Sequence, residues 1–186
     1  MRQIILASSS PRRKELLAMM GYEFDVQPAD INEDLNPNLS LREAIEELSF
    51  RKAAKIAESN ENALIIGSDT IVTIDGQILG KGKDYETCER MISTLSGRTH
   101  QVITAVTLIC GNEKETFSVV TDVTFFPLDK DEIHRYALSG EGFDKAGAYA
   151  VQGYGARFVK EIHGDFYSVI GLPFSETYRR IQKYLW

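Results

Sequence analysis

Ile4-Ile5-Leu6-Ala7-Ser8-Ser9-Ser10-Pro11-Arg12-Arg13 is the stretch on which the reading of this chain turns. The four apolar residues make a short buried strand. Three serines then lead to a proline that opens a helix running to Met20 and closed by Gly21. Serine at the cap, proline at the first helical position and glycine past the end are ordinary start and stop signals. The backbone N–H groups of this turn and the dipole of the helix point at one spot, which favours an anion. Serine hydroxyls add donors, and arginine adds forked donors suited to phosphate. Two adjacent arginines at a helix N-terminus are costly without an anion. The plainer alternative is a capped helix followed by two solvated arginines.

Outward from this turn, residues 22–26 form a second strand and residues 28–38 a polar, acidic loop with proline near both ends. Ser40 caps a long helix from Leu41 to about Ser59, and Glu43 completes a capping box. Residues 63–66 and 70–74 read as strands on either side of a polar interruption, Gly67-Ser68-Asp69. Asp75-Gly76 is a hairpin turn into residues 77–79, and Asp84 caps a helix through Leu95. Residues 100–110 and 115–126 make an antiparallel hairpin around Gly111-Asn112. Asp129 starts a helix to Leu138, and residues 140–155 form a glycine-rich loop. Residues 156–162 and 166–169 read as strands around Gly164-Asp165, and residues 174–185 as a closing helix. Helices interleave with hairpin and non-hairpin strands, so the expected fold is α/β with a mixed sheet.

The length of 186 residues suits one domain, or one domain with two lobes. The net charge of −6 means that a phosphate binder must gather its basic residues locally. The same acidity argues against a nucleic-acid or membrane-surface binder. Cys88 and Cys110 form no CxxC pair, which excludes a cysteine zinc site and argues against a disulfide framework. They read as two buried thiols in a reducing cytosol. The apolar run at the N-terminus is too short for a signal peptide, and no later segment approaches a membrane span. The expected location is the cytoplasm.

Further features along the chain carry chemistry. Lys52 falls within the apolar stripe Leu41, Ile45, Leu48 and Ile56 of the Ser40-capped helix. It either snorkels out or has an anionic partner. Asp69 sits among Leu64-Ile65-Ile66 and Ile71-Val72 and is expected to be partly buried. It needs a cation, a metal or several donors there, unless it is a structural residue in a bulge. A carboxylate beside phosphates points to Mg²⁺ or Mn²⁺. Asp30, Glu33 and Asp34 are solvated loop charges when taken alone, and gain interest because a metal site needs a second carboxylate. Lys81 lies in Gly80-Lys81-Gly82-Lys83, which is not a Walker A loop but can bring an ammonium to phosphate. The glycine-rich stretch does not fit a dinucleotide fingerprint, though its amide and charged groups suit a base or sugar. His100, His134 and His163 have no ligand spacing and read as structural or surface residues.

Taken in order, SSSPRRKELL, Ser49-Phe50-Arg51-Lys52-Ala53, Gly67-Ser68-Asp69-Thr70, Gly80-Lys81 and Gly142-Phe143-Asp144-Lys145-Ala146-Gly147-Ala148-Tyr149 resemble the Maf-like nucleoside triphosphate pyrophosphatases. The resemblance covers nearly the whole chain. It implies a single Maf-like domain over residues 1–186, with a mixed twisted sheet flanked by helices and two lobes around a central cleft. It implies hydrolysis of a nucleoside triphosphate to monophosphate and pyrophosphate with a divalent metal (Mg²⁺, Mn²⁺ or Co²⁺). It also implies a homodimer, a housecleaning role in the nucleotide pool and a link to septum formation. Carried over by motif, Asp69 is the proton acceptor. Ser8, Arg13, Lys52 and Lys81 match phosphate-contacting positions, and Glu33, with Asp69, a metal-associated one. Arg12, Thr70 and Gln152 match positions that separate the branches, in the combination of the branch acting on dTTP and UTP. Gly82 departs from the family pattern, which often has proline there, and is expected to leave the lysine loop more flexible. The alternative function is a nucleotide-binding regulator of cell division, which needs the phosphate turn but no catalytic aspartate.

Overall fold

Ile4, Ile5 and Leu6 are almost wholly buried and form β1 (Ile4–Leu6), the strand expected before the serine turn. The structure is a computed structural model that describes residues 2–185. β1 is followed by α1 (Pro11–Met19), β2 (Asp25–Val26), α2 (Leu41–Ala57), β3 (Leu64–Ile74) and β4 (Gln77–Leu79). Then come α3 (Tyr85–Leu95), β5 (Thr99–Cys110), β6 (Glu113–Phe125), α4 (Lys130–Leu138), β7 (Val159–His163), α5 (Phe166–Ile170) and α6 (Phe174–Ile181). The strands form one seven-stranded sheet in the order β2-β1-β3-β5-β6-β7, with β4 on β3. β1 runs parallel to both β2 and β3, whereas β4 is antiparallel to β3 and β7 to β6. Side-chain hydrogen bonds pair Thr99 with Thr124, Gln101 with Asp122 and Thr107 with Thr116, so β5 and β6 run antiparallel as expected. The fold is therefore α/β with a mixed sheet.

The chain divides into two compact units. One comprises the chain through Asp69, Thr104–Val119 and the chain from Gly171, and the other Thr70–Ile103 and Val120–Ile170. In the first, Ile5, Ala7, Ala53, Ile65 and Ile109 pack with Phe50 and Ile56. In the second, α3 and α4 set Cys88, Ile92, Leu95, Ile133 and Tyr136 against Val72, Val123, Phe125 and Phe158. Both cysteines are buried free thiols. Among the described residues, no helix is long and apolar enough to cross a membrane.

Several local expectations are corrected. β3 is one continuous strand, and Gly67-Ser68-Asp69 does not interrupt it. The reason is that the polar groups find partners without leaving the strand. The Ser68 hydroxyl donates to the Gly171 carbonyl, and the Gly67 carbonyl accepts from the Ser49 hydroxyl. α2 is pressed so closely on β3 that a Cβ at residue 67 would stand 2.5 Å from the Ser49 carbonyl oxygen and 2.9 Å from the Ala53 Cβ. β2 keeps only two residues, Asp25 and Val26, which pair with Ile5 and Leu6 of β1. Ser10 stands at the N-cap of α1, but its side chain makes no cap hydrogen bond. The segment 166–169 is helical, since the Asp165 carboxylate accepts from the Ser168 N–H at 2.7 Å as a cap does. Residues 154–158 wind as a 3₁₀ turn because the Glu141 carboxylate gathers the N–H groups of Tyr154 and Gly155. The closing helix gives way to a 3₁₀ turn at Gln182.

Gly82 serves close packing rather than flexibility. It is buried, its N–H donates to the Lys145 carbonyl and its own carbonyl accepts from the Asp144 N–H. A Cβ there would meet the Cys88 Sγ at 2.5 Å. A proline at this position would need the thiol of Cys88 out of the way.

Gly67→Ala forces α2 off β3 and should cost about 1–3 kcal/mol in urea denaturation, the usual range for overpacking. An unchanged midpoint would show that the helix has room to spare. His100 is buried, with Nε2 2.7 Å from the Tyr149 hydroxyl and its ring edge-on to Phe125. Burial lowers its pKa from 6.5 to about 4, with Asp122 pulling the other way. A base whose folded pKa lies below its unfolded value stabilises the fold above the unfolded pKa. That contribution is lost as pH falls from 6.5 towards about 4. His100→Gln should therefore flatten the decline of the urea midpoint across this window. An equally steep decline in the variant would rule out His100 as its source.

Candidate active site

β1, α1, α2 and β3 each bring one polar or charged side chain to the same place. Ser8 follows the carboxyl end of β1 and is buried. Its hydroxyl oxygen accepts from the Ser10 N–H at 3.2 Å, closing the serine turn two residues on. The same oxygen accepts from Arg13 Nη1 at 3.2 Å. Arg13 lies on the first turn of α1, and only 8% of it is exposed. Its Nε donates to the Gly171 carbonyl at 2.9 Å, and its Nη2 lies 3.6 Å from Asp69 Oδ1. A solvated arginine after a capped helix is thereby excluded. Burial depresses the basicity of Arg13, Asp69 opposes that most strongly, Arg12 adds to it, and Glu33 counters it.

Lys52 is on the buried face of α2, one turn from Ser49 and beside Ala53. The glycine at 67 lets that face approach β3. Asp69 is two residues beyond Gly67 along β3, so it projects from the same side of the strand. Lys52 Nζ stands 3.2 Å from Asp69 Oδ1 and 2.7 Å from Glu33 Oε1. Its side chain is 8% exposed, so the lysine has anionic partners and does not snorkel out. Asp69 is mostly covered, with 17% of its side chain exposed, while Glu33 is half-exposed at 51%.

Of the residues expected to act, Ser8, Arg13, Glu33, Lys52 and Asp69 thus form one connected cluster. Arg12 is half-buried on α1, and burial lowers its pKa against the pull of Glu15. Thr70, Lys81 and Gln152 belong to the second compact unit. There Thr70 is half-buried in β3, Lys81 is exposed with its backbone bridged to Ala146, and Gln152 is exposed in the turn before the 3₁₀ segment. Asp30 and Asp34 are loop residues, and Asp34 makes a local bond to Asn32.

Two participants escaped the sequence. The Gly171 carbonyl accepts from both Arg13 and Ser68, tying α1, β3 and the start of the last helical segment together. A backbone acceptor leaves no side-chain signature. Arg51 was visible only as the neighbour of Lys52, and it grips the acidic loop through the carbonyls of Asn32 and Asp34.

Among the described residues, no group of three or more His, Cys, Asp or Glu side chains is placed to hold a metal. Two carboxylates do converge, however, on one cationic point, the Nζ of Lys52. That donor set fits Mg²⁺ or Mn²⁺, hard ions that take one or two protein carboxylates and fill their remaining positions with water and substrate phosphates. It does not fit a metal needing a complete protein cage.

The Maf-like protein family matches residues 3–184 of the chain. A dTTP/UTP pyrophosphatase of Bacillus pumilus (strain SAFR-032) is 50% identical over 184 residues, covering 99% of this chain and 97% of its own. A dTTP/UTP pyrophosphatase of Vibrio parahaemolyticus is 45% identical over 183 residues, covering 98% and 97%. Among solved structures, the Staphylococcus aureus Ham1 protein aligns with 67% of this chain and 72% of its own, with a TM-score of 0.48 and 16% identity.

Arg13→Lys keeps the charge but loses the fork that reaches Gly171, Ser8 and Asp69 together. It should lower unfolding free energy by about 1.5–3 kcal/mol in urea, the range for hydrogen bonds to charged groups. A variant as stable as the parent would show that the arginine does not hold these elements together.

Proposed function

The chain belongs to the Maf-like protein family, and from this and the Asp69 cluster we propose that it is a nucleoside triphosphate pyrophosphatase hydrolysing dTTP and UTP to the monophosphate and pyrophosphate. The observation that carries the chemistry is the placement of Asp69. One carboxylate oxygen lies 3.2 Å from an ammonium and 3.6 Å from a guanidinium, beside the serine turn at the carboxyl end of β1. A proton acceptor is thus set among groups that can neutralise a polyphosphate. Phosphoryl transfer is accelerated chiefly by such positioning and charge stabilisation.

In this reading Lys52 and the Ser8 turn hold the β- and γ-phosphates. Arg13 adds its charge to the same region and keeps Ser8 and Asp69 in register. Asp69 accepts the proton of the water that attacks the α-phosphorus, and pyrophosphate leaves. Glu33 and Asp69 are the residues that would hold Mg²⁺ or Mn²⁺, which supplies positive charge at phosphate oxygens and acidifies water when bound. Lys81 as a further phosphate ligand belongs to the same proposal, as do Arg12, Thr70 and Gln152 as selectors of the nucleotide. A cytoplasmic location follows from the proposed substrates and accords with the two free thiols.

Pyrophosphate release should be measured across the common nucleotides, with EDTA and with Mn²⁺ restored. Release from dTTP and UTP above the purine nucleotides, stopped by EDTA, is expected. Asp69→Asn should lower kcat by about 10²- to 10⁴-fold, the scale of general-base catalysis. Binding of a non-hydrolysable dTTP analogue, measured in EDTA so that no metal bridges it to the site, should not weaken. Near-normal turnover by the variant, or tight nucleotide binding by the parent without release, would overturn the reading. The second result would favour a nucleotide-sensing regulator.

A further inference from the structure

Glu33 stands in a loop with little structure of its own. Among the described residues, the backbone–backbone hydrogen bonds of this region lie at its ends, from Gln27 N–H to the Leu6 carbonyl and from Leu39 N–H to the Asn36 carbonyl. Between them the chain relies on side chains. The Asn32 Oδ1 accepts from the Asp34 N–H at 2.8 Å, and the Asn32 Nδ2 donates to the Asp34 carboxylate at 3.1 Å. These bonds close a tight turn over Glu33.

Arg51 ties this turn to α2. Its Nη1 donates to the Asn32 carbonyl at 2.6 Å and its Nη2 to the Asp34 carbonyl at 2.7 Å. The two acceptors belong to the residues immediately before and after Glu33. A planar fork that bonds both fixes position and orientation, which a single-point ammonium does not. The next residue along α2, Lys52, meets the Glu33 carboxylate itself at 2.7 Å. Adjacent residues of one helix therefore hold the backbone and the side chain of Glu33. Glu47, one turn back, lies 4.0 Å from Arg51 Nε and balances its charge. The half-exposure of Glu33 makes this external grip matter, since packing alone does not hold it.

We propose that Arg51 is a positioning residue for Glu33, holding the 32–34 backbone so that the Glu33 carboxylate faces Asp69 and the two can share a divalent cation. The proposal rests on the pyrophosphatase reading above, in which those carboxylates hold the cation. It assigns Arg51 no contact with substrate. Its effect on the reaction passes entirely through Glu33.

The test is a double-mutant cycle of Arg51→Ala and Glu33→Gln, with Mn²⁺ binding read by electron paramagnetic resonance in the presence of a non-hydrolysable α,β-imido dUTP. Steady-state kinetics at varied Mn²⁺ provide a second readout. Loss of an outer residue that orients a metal ligand typically costs about 10- to 100-fold in metal affinity. Arg51→Ala should weaken Mn²⁺ binding on that scale and raise the Mn²⁺ needed for half-maximal rate by a similar factor. KM for dTTP at saturating Mn²⁺ should stay near the parent value. In the Glu33→Gln background, Arg51→Ala should add no further loss. Arg51→Lys, which keeps the charge without the fork, carries the same test if the alanine variant does not fold, and its loss should likewise vanish without Glu33. Unchanged Mn²⁺ affinity in the Arg51 variants would overturn the proposal, as would equal losses with and without Glu33. A parent protein that releases no pyrophosphate would instead sink the functional reading, and Mn²⁺ binding is measured independently of turnover.

Discussion

Charges taken out of water are tolerable only where they meet, and Asp69 is where Arg13 and Lys52 meet. All three are largely covered, and the two cations reach one carboxylate oxygen from different helices. Removing one partner from such a buried set leaves an uncompensated charge, a penalty of about 3–5 kcal/mol. The local architecture follows from satisfying it. α1 must begin directly after β1 so that Arg13 lies beside Ser8. α2 must press on β3 at Gly67 so that Lys52 reaches Asp69. The Gly171 carbonyl must face both Arg13 and Ser68. The same constraint makes the cluster suited to a polyanion, because the cations are held in place before any phosphate arrives.

Much of this was legible in the sequence because the signals are local. The Ser40–Glu43 capping box forms with both of its bonds. Lys52 stood out because an apolar helical stripe has no place for an unpaired ammonium, and its partners are two carboxylates. Asp69 stood out because it interrupts an apolar strand pattern. The strand nevertheless continues through it, since hydrogen bonding to distant groups satisfies what looked like a break. Here tertiary contact outweighs the local pattern.

The unread parts depended on groups with no sequence pattern. The Gly171 carbonyl is a backbone acceptor more than a hundred residues from its donors. Asp165 looked like a turn residue and proves to be a helix cap, which turned an expected strand into α5. Arg51 stood in the sequence only as the neighbour of Lys52, and its bonds to Asn32 and Asp34 depend on the path of an irregular loop. Gly82 looked like a source of freedom, yet its missing side chain is the space that Cys88 fills. The chemistry was visible where side chains break a pattern, and hidden where backbone groups or loop paths complete it.

The central claim is that this cluster directs water to the α-phosphorus. Hydrolysis of dTTP in ¹⁸O-labelled water, with mass analysis of both products, tests it most directly. Attack at the α-phosphorus predicts the label in the nucleoside monophosphate, with the released pyrophosphate unlabelled. Label in the pyrophosphate, or release of orthophosphate in its place, would contradict the account.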